Sequence, residues 1–152
     1  MLTIVNNTNI FDIPLSTTIT NPVNTVGAMG AGLAKQFRLR YPGIMQNYAA
    51  RCRDGSFTVG KLLIYHAPDG RDILLFPTKA DWRNPSRIEY VEAGLDAVVR
   101  SIHRFRKNDR GLVSIAFPPL GCGLGGLKTD DIIPLFQSRF ADRSDSDIML
   151  LI

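Results

Sequence analysis

The stretch Asn21-Pro-Val-Asn-Thr-Val-Gly-Ala-Met-Gly-Ala-Gly-Leu-Ala-Lys35 constrains the fold most, because it runs from an apolar strand through a glycine-dense turn straight into a helix. Glycines at 27, 30 and 32 let the backbone take positive φ and come close to a ligand. The first free N–H groups of the helix then point at an anion. A second run, Gly121-Cys-Gly-Leu-Gly-Gly126, follows another apolar stretch and supplies an opposite wall.

At 152 residues and 45% apolar content, the chain fills one domain with a full core and is too short for two. No apolar run reaches the roughly 18 to 20 residues of a membrane span, and no basic-then-apolar leader opens the chain. These features predict a soluble, cytoplasmic monomer without membrane attachment. Cys52 and Cys122 lie far apart and form no framework, and no Cys/His spacing predicts a metal. The net charge is +4, and Arg100, Arg104, Arg106, Lys107 and Arg110 cluster near one predicted helix end. Such cations are compatible with phosphate-bearing partners, but they read first as complements to a helix dipole.

Apolar patterning places strands at Leu2 to Val5, Ser16 to Asn21, Leu112 to Pro118 and Ile148 to Ile152. Lys61 to Ala67 and Asp72 to Pro77 form a hairpin around Pro68-Asp-Gly70. Helices are predicted from Gly32 to Arg40, from Pro42 to about Arg51, and from Asp130 to Ala141. A further helix begins at Ser86, where Ser86-Arg-Ile-Glu89 reads as a capping box, and its apolar face runs through Ile88, Val91, Leu95, Val98, Ile102 and Phe105. Strands alternating with helices, plus one hairpin, predict an α/β fold: a central mixed sheet covered on both faces.

Gly121-x-Gly-x-x-Gly126 matches the dinucleotide fingerprint locally. A Rossmann fingerprint opens a nucleotide-binding half with further βα units, whereas one helix and one strand remain here, and Pro118-Pro119 spoils the tight turn. The first loop lacks the Gly-Lys-Ser/Thr ending of a P-loop. Two glycine loops at strand ends can instead enclose a diphosphate from both sides.

In this reading the blocks Asn21 to Ala34, Phe76-Pro-Thr-Lys79, Trp82-Arg-Asn-Pro-Ser86 and Pro118-Pro-Leu-Gly-Cys-Gly-Leu-Gly-Gly-Leu127 resemble, in order, those of a macrodomain. The similarity is narrower still to the branch holding the DarG-type DNA ADP-ribosyl glycohydrolase antitoxins and the terminal ADP-ribose protein glycohydrolase. The resemblance implies a three-layer α/β/α fold and an ADP-ribose cleft, with ADP-ribose as ligand or product and no cofactor. It puts Asn24 at the distal ribose and Gly27, Met29, Gly30, Gly32 and Leu33 around phosphate and ribose, with Asn21 also among the ligand-binding residues. Gly121, Cys122, Gly123, Leu124 and Gly125 would hold the diphosphate, and Pro119 is a further ligand-binding residue. Asn9-Ile10 falls where many members carry Asp-Ile or Asp-Leu for the adenine, and an amide oxygen can accept from an exocyclic amine as a carboxylate does.

Lys79 matches the lysine that this branch uses for catalysis. Beyond the apolar run Ile73 to Pro77 its amine is expected to be partly desolvated, fit to attack the anomeric carbon or to polarise the glycosidic linkage as a cation. The protein glycohydrolase carries an aspartate where this chain has Gly125, so the loop is closer to the DNA-directed form. Release of ADP-ribose from a DNA base is therefore the leading expectation, with ADP-ribosylated single-stranded DNA as partner. The alternatives are hydrolysis of ADP-ribosyl-glutamate or O-acyl-ADP-ribose, and a non-catalytic reader. Trp82 reads either as a packing anchor or as a base contact; His66, His103 and Cys122 read as structural. The antitoxins carry a second domain after the macrodomain, so a cognate ADP-ribosyltransferase toxin is a partner only by resemblance.

Overall fold

The computed structural model describes all residues from Met1 to Ile152. The elements run β1 (Leu2–Val5), β2 (Thr18–Asn24), α1 (Gly32–Arg40), α2 (Ile44–Arg53), β3 (Leu63–His66), β4 (Asp72–Lys79), α3 (Ile88–Arg100), β5 (Val113–Phe117), α4 (Thr129–Phe140) and β6 (Ser146–Leu151). Short 3-10 turns lie at Ile10–Asp12, Ile102–Arg104 and Gly123–Gly125.

The six strands form one sheet in the order β1-β6-β5-β2-β4-β3. Only β3 is antiparallel, paired with β4 as the predicted hairpin. Parallel strands with both faces covered read as unbroken apolar runs, and β4 is buried from Asp72 to Thr78. Alternate residues of each strand then serve opposite layers. Leu74, Phe76, Ile115, Phe117, Ile148 and Leu150 pack under α3 and α4 with Leu95, Phe136 and Phe140. Ile19, Val23, Ile73 and Leu75 pack under α1 and α2 with Phe37, Ile44 and Tyr48. The expected three-layer α/β/α architecture is what the chain forms.

Three boundaries differ from the sequence reading, each for a tertiary reason. β2 continues to Asn24 through Pro22, beyond the predicted end at Asn21. A residue without an N–H is tolerated there because β5 pairs with β2 only through Thr18 and Ile19, leaving that flank open. Ser86 is not a helix cap: α3 starts at Ile88 after Arg87, whose side chain makes no capping bond. Ser86 instead donates its N–H to the Gly125 carbonyl at 2.9 Å, tying the approach to α3 to the second glycine loop. The helix also ends at Arg100 rather than continuing to Phe105, because the Ser101 N–H closes on the carbonyls of Ala97, Val98 and Val99 and a separate 3-10 turn follows.

Where α3 crosses β4, Gly94 lets the two approach: a Cβ there would lie 2.2 Å from Cζ of the fully buried Phe76 ring. Ala in place of a helical Gly ordinarily gains about 1 kcal/mol, but overpacking a rigid core costs about 1–3 kcal/mol. We expect Gly94→Ala to lower the urea midpoint, followed by far-UV circular dichroism. A raised midpoint would show that the contact has slack.

Candidate functional site

β2 and β5 are adjacent, yet only Thr18↔Ile115 and Ile19↔Ala116 are in register before the strands part. The chain leaves β2 for α1 on one face and leaves β5 for α4 on the other. This is a switch point, and a crevice opens beyond the carboxyl ends of both strands. The two glycine runs form its walls, the first loop spanning residues 25–31 and the second 118–128. They meet where a Cβ on Gly32 would come within 3.2 Å of Leu124 Cδ1.

The walls offer donors. Ala31 provides no side-chain cap to α1, so the leading amides of that helix are left for solvent or an anion. The N–H groups of Met29, Gly30 and Ala31 in the first loop, and of Gly121, Gly123 and Leu124 in the second, donate to no backbone carbonyl. Gly32 has φ +58°, as expected for the turn into the helix. Gly30 does not: its φ is not positive and a Cβ there would meet nothing within 4 Å, so the expected conformational need is absent at that glycine.

At one end of the crevice lies a cavity of about 360 Å³ that brings together Asn9, Ile10, Leu33 and Pro119 with Gln36 and Leu151. Asn9 caps the first 3-10 turn, its Oδ1 accepting the Phe11 N–H at 2.9 Å. One lone pair of that oxygen and the whole Nδ2 group remain for a ligand. At the other end stands Lys79, the last residue of β4 and in register with Asn24. Its Nζ donates to the Leu124 carbonyl at 3.4 Å in a solvent-exposed hydrogen bond, while the residue itself is half-buried.

Asn24 and Asn21 turn out to build the first loop from beneath. Asn24 Oδ1 accepts the N–H groups of Val26 (3.1 Å) and Ala28 (3.3 Å), while its Nδ2 donates to the Ala28 carbonyl at 2.8 Å, leaving one Nδ2 hydrogen free. Asn21 is wholly buried, and its Nδ2 points to Met29 Sδ at 3.7 Å, so Asn21 and the buried Met29 underlie the loop instead of facing the crevice. Tyr48 joins this foundation without a signal in the sequence. From α2 its buried hydroxyl lies 2.8 Å from the Asn24 carbonyl and 2.9 Å from Asn24 Oδ1. Burial first, and the Cys52 thiol second, push this phenol well above its ordinary range, so it remains a donor. An aromatic on a helical apolar stripe looks like packing from sequence alone, and no local signal marks its hydroxyl. Arg38 Nε, donating to the Met29 carbonyl at 3.1 Å, is a second unpredicted anchor.

Under the second loop, Ser86 closes the space beside Gly125: a Cβ there would lie 2.4 Å from Ser86 Oγ and 3.9 Å from Lys79 Cε. Ser86 Oγ is buried without a partner. Burial, with a smaller contribution from Asp131, raises the Cys122 thiol, in keeping with its reading as an unreactive loop residue. Trp82 is 54% exposed, which sets aside the packing anchor. Arg83 stacks on its ring at 4.6 Å, and Asp81 holds the turn by accepting the Arg83 N–H at 3.0 Å.

This arrangement of sheet, switch point and paired loops has a match among known families: the model of the Macro domain fits residues 20–136. The chain belongs to the macrodomain family. The macrodomain is 38% identical over 135 residues to the DNA ADP-ribosyl glycohydrolase of Mycobacterium tuberculosis, covering 87% of this chain and 37% of that protein. It therefore spans little more than a third of that relative's length. Among solved structures, the macrodomain of Thermus aquaticus DarG superposes with a TM-score of 0.85 at 36% identity, covering 100% of this chain and 98% of that one. Thermosipho africanus DarTG in complex with ADP-ribose gives 0.83 at 31% identity, covering 99% of this chain and 41% of that one. No helix of the macrodomain is long and apolar enough to cross a membrane.

Losing the Tyr48 hydroxyl would strip a buried donor from the first loop, which costs about 1–3 kcal/mol. Tyr48→Phe is expected to lower stability by that amount and to speed hydrogen exchange at the Val26 and Ala28 amides relative to the β4 amides. Uniform acceleration across both sets would mean that Tyr48 serves only the core.

Proposed function

We propose that this macrodomain is an ADP-ribosyl glycohydrolase that takes ADP-ribose from a DNA base. The cavity at Asn9, Ile10, Leu33 and Pro119 receives the adenine end. The free amides of the two loops and the uncapped start of α1 take the diphosphate, whose charge favours a helix N-terminus. The distal ribose then reaches Lys79 and the remaining Nδ2 hydrogen of Asn24. The relatives' names and the ADP-ribose held by the Thermosipho protein support ADP-ribose as the ligand.

One observation carries the chemistry: Lys79 is the side chain of the site that combines reach over the distal end with a reactive nitrogen, and no carboxylate accompanies it at position 125. In the reaction the C1″–N bond between ribose and base breaks, the bonding pair leaves with the base nitrogen, and that nitrogen takes a proton. Water supplies the hydroxyl that ends on C1″. Lys79 acts at C1″, as the amine that forms a transient Nζ–C1″ bond or as the N–H donor to the departing base; borohydride reduction of a trapped imine separates the two roles. Trp82, on the turn immediately after β4 with one ring face left for a ligand, stacks the neighbouring base. The mark must first be written by an ADP-ribosyltransferase acting on DNA, and such an enzyme is the functional partner.

Lys79→Ala is expected to lower release of ADP-ribose from modified single-stranded DNA at least about a hundredfold, with ADP-ribose affinity by calorimetry nearly unchanged. Equal turnover would remove Lys79 from the mechanism. Faster release by wild type from an ADP-ribosylated glutamate peptide would move the substrate from DNA to protein, and tight binding with no release from either would make the domain a reader.

A further inference from the structure

A second cavity, of about 340 Å³, lies between Gly60–Leu62, just ahead of β3, and the C-terminal half of α3 with the turn after it. Lys61, Arg100, His103 and Arg104 line it. The structure divides the basic cluster seen in the sequence. Arg106 pairs with Asp72 at 3.6 Å and Arg110 with Asp147 at 2.7 Å. Lys61, Arg100 and Arg104 enter no ion pair. The acid of α3 nearest in sequence, Asp96, is held by Arg139 at 2.8 Å.

Complementing the dipole of α3 accounts for Arg100 but not for this grouping. Lys61 arrives from a different segment, and Arg104 lies beyond the helix end in the following turn. Unneutralised cations around one depression repel one another, and a polyanion lying along them removes that repulsion while releasing its own counterions. The lining cations are all solvent-exposed, on long flexible stems, which suits a continuous phosphate backbone better than a single small anion fixed by buried donors. The groove also has a route to the crevice. α3 begins at Ile88, two residues after Ser86 beneath the second loop, and its length of about 20 Å leads from the Lys79 end to Arg100.

We propose that this groove binds the phosphate backbone of the single-stranded DNA whose modified base occupies the ADP-ribose crevice. The inference rests on the DNA reading above and adds a second anchoring point to it. The groove then raises the effective affinity for a strand without touching the reacting atoms, so substrates too short to reach it gain nothing from its charges.

The test compares wild type with the triple variant Lys61→Gln/Arg100→Gln/Arg104→Gln. Binding of an unmodified fluorescent oligothymidylate of about 16 nucleotides is followed by anisotropy across a salt series. Three backbone contacts give a slope of log K against log salt of about −2, and the variant is expected to lose most of it. On an ADP-ribosylated oligonucleotide of that length KM rises at least tenfold with kcat unchanged, whereas turnover of an ADP-ribosylated mononucleotide is the same for both proteins. An unchanged slope overturns the proposal, as does an equal rise in KM on the mononucleotide or a preference for duplex over single strand. If the triple variant does not fold, Lys61→Gln alone should shift the slope by about 0.7; no shift counts against the groove. Should wild type release ADP-ribose from neither DNA substrate, the glycohydrolase reading fails, while the salt slope with unmodified DNA still reports on the groove.

Discussion

The parting of β2 from β5 after two registered residue pairs is the constraint on which the site depends. Had the ladder continued to the ends of both strands, backbone hydrogen bonds would fill the space where the crevice opens. Separation is possible because β2 stays paired with β4 from Ile19 to Asn24, with one register shift before Asn24, so the central strand remains anchored while one flank is released. Pro22 lies in the released stretch, where the absence of an N–H does no harm.

Opening a sheet in this way leaves polar backbone at the rim, and the two loops manage it differently. The first is held from below by side chains: Asn24 mimics the missing strand partner for Val26 and Ala28, Tyr48 braces Asn24 from α2, and Arg38 fixes Met29. The second is held by its own short turn and by contacts to what lies beneath, with Ser86 and Lys79 reaching the carbonyls of Gly125 and Leu124. These groups consume the carbonyls of Ala28, Met29, Leu124 and Gly125 and the amides of Val26 and Ala28, while the amides from Met29 to Ala31 and those of Gly121, Gly123 and Leu124 keep no backbone acceptor. That polarity is what an anionic ligand requires. Lys79 is tied to the second loop through the Leu124 carbonyl, and under the proposed function a ligand that displaces that carbonyl would free the amine.

Much of the framework was legible in the chain. β1 and α1 fall on their predicted bounds, the hairpin forms around Pro68 to Gly70, and the two glycine loops face one another as their shared phosphate logic requires. The misses arise where a local pattern competes with a distant partner. Ser86 to Glu89 has the spacing of a capping box, yet the Ser86 N–H belongs to Gly125, a contact some forty residues away that no window of sequence contains. The apolar period of α3 runs on through Ile102 and Phe105, but both side chains reach the core from a 3-10 turn, so periodicity persists after the helix has ended.

By itself the sequence determined the alternation of strands and helices and the phosphate-seeking character of the two loops, because these follow from residue type and local spacing, whereas Lys79 stood out only through the family resemblance. Only the tertiary structure decided which asparagines build the loop and which line the cavity, that Tyr48 braces the first loop, and that Lys61 joins Arg100 and Arg104 around one groove while Arg106 and Arg110 are neutralised. The physical reason is common to all three. A hydrogen bond or an ion pair is set by which atoms lie within about 3 Å, and for residues far apart in the chain that proximity exists only once the sheet and its two helical layers have closed.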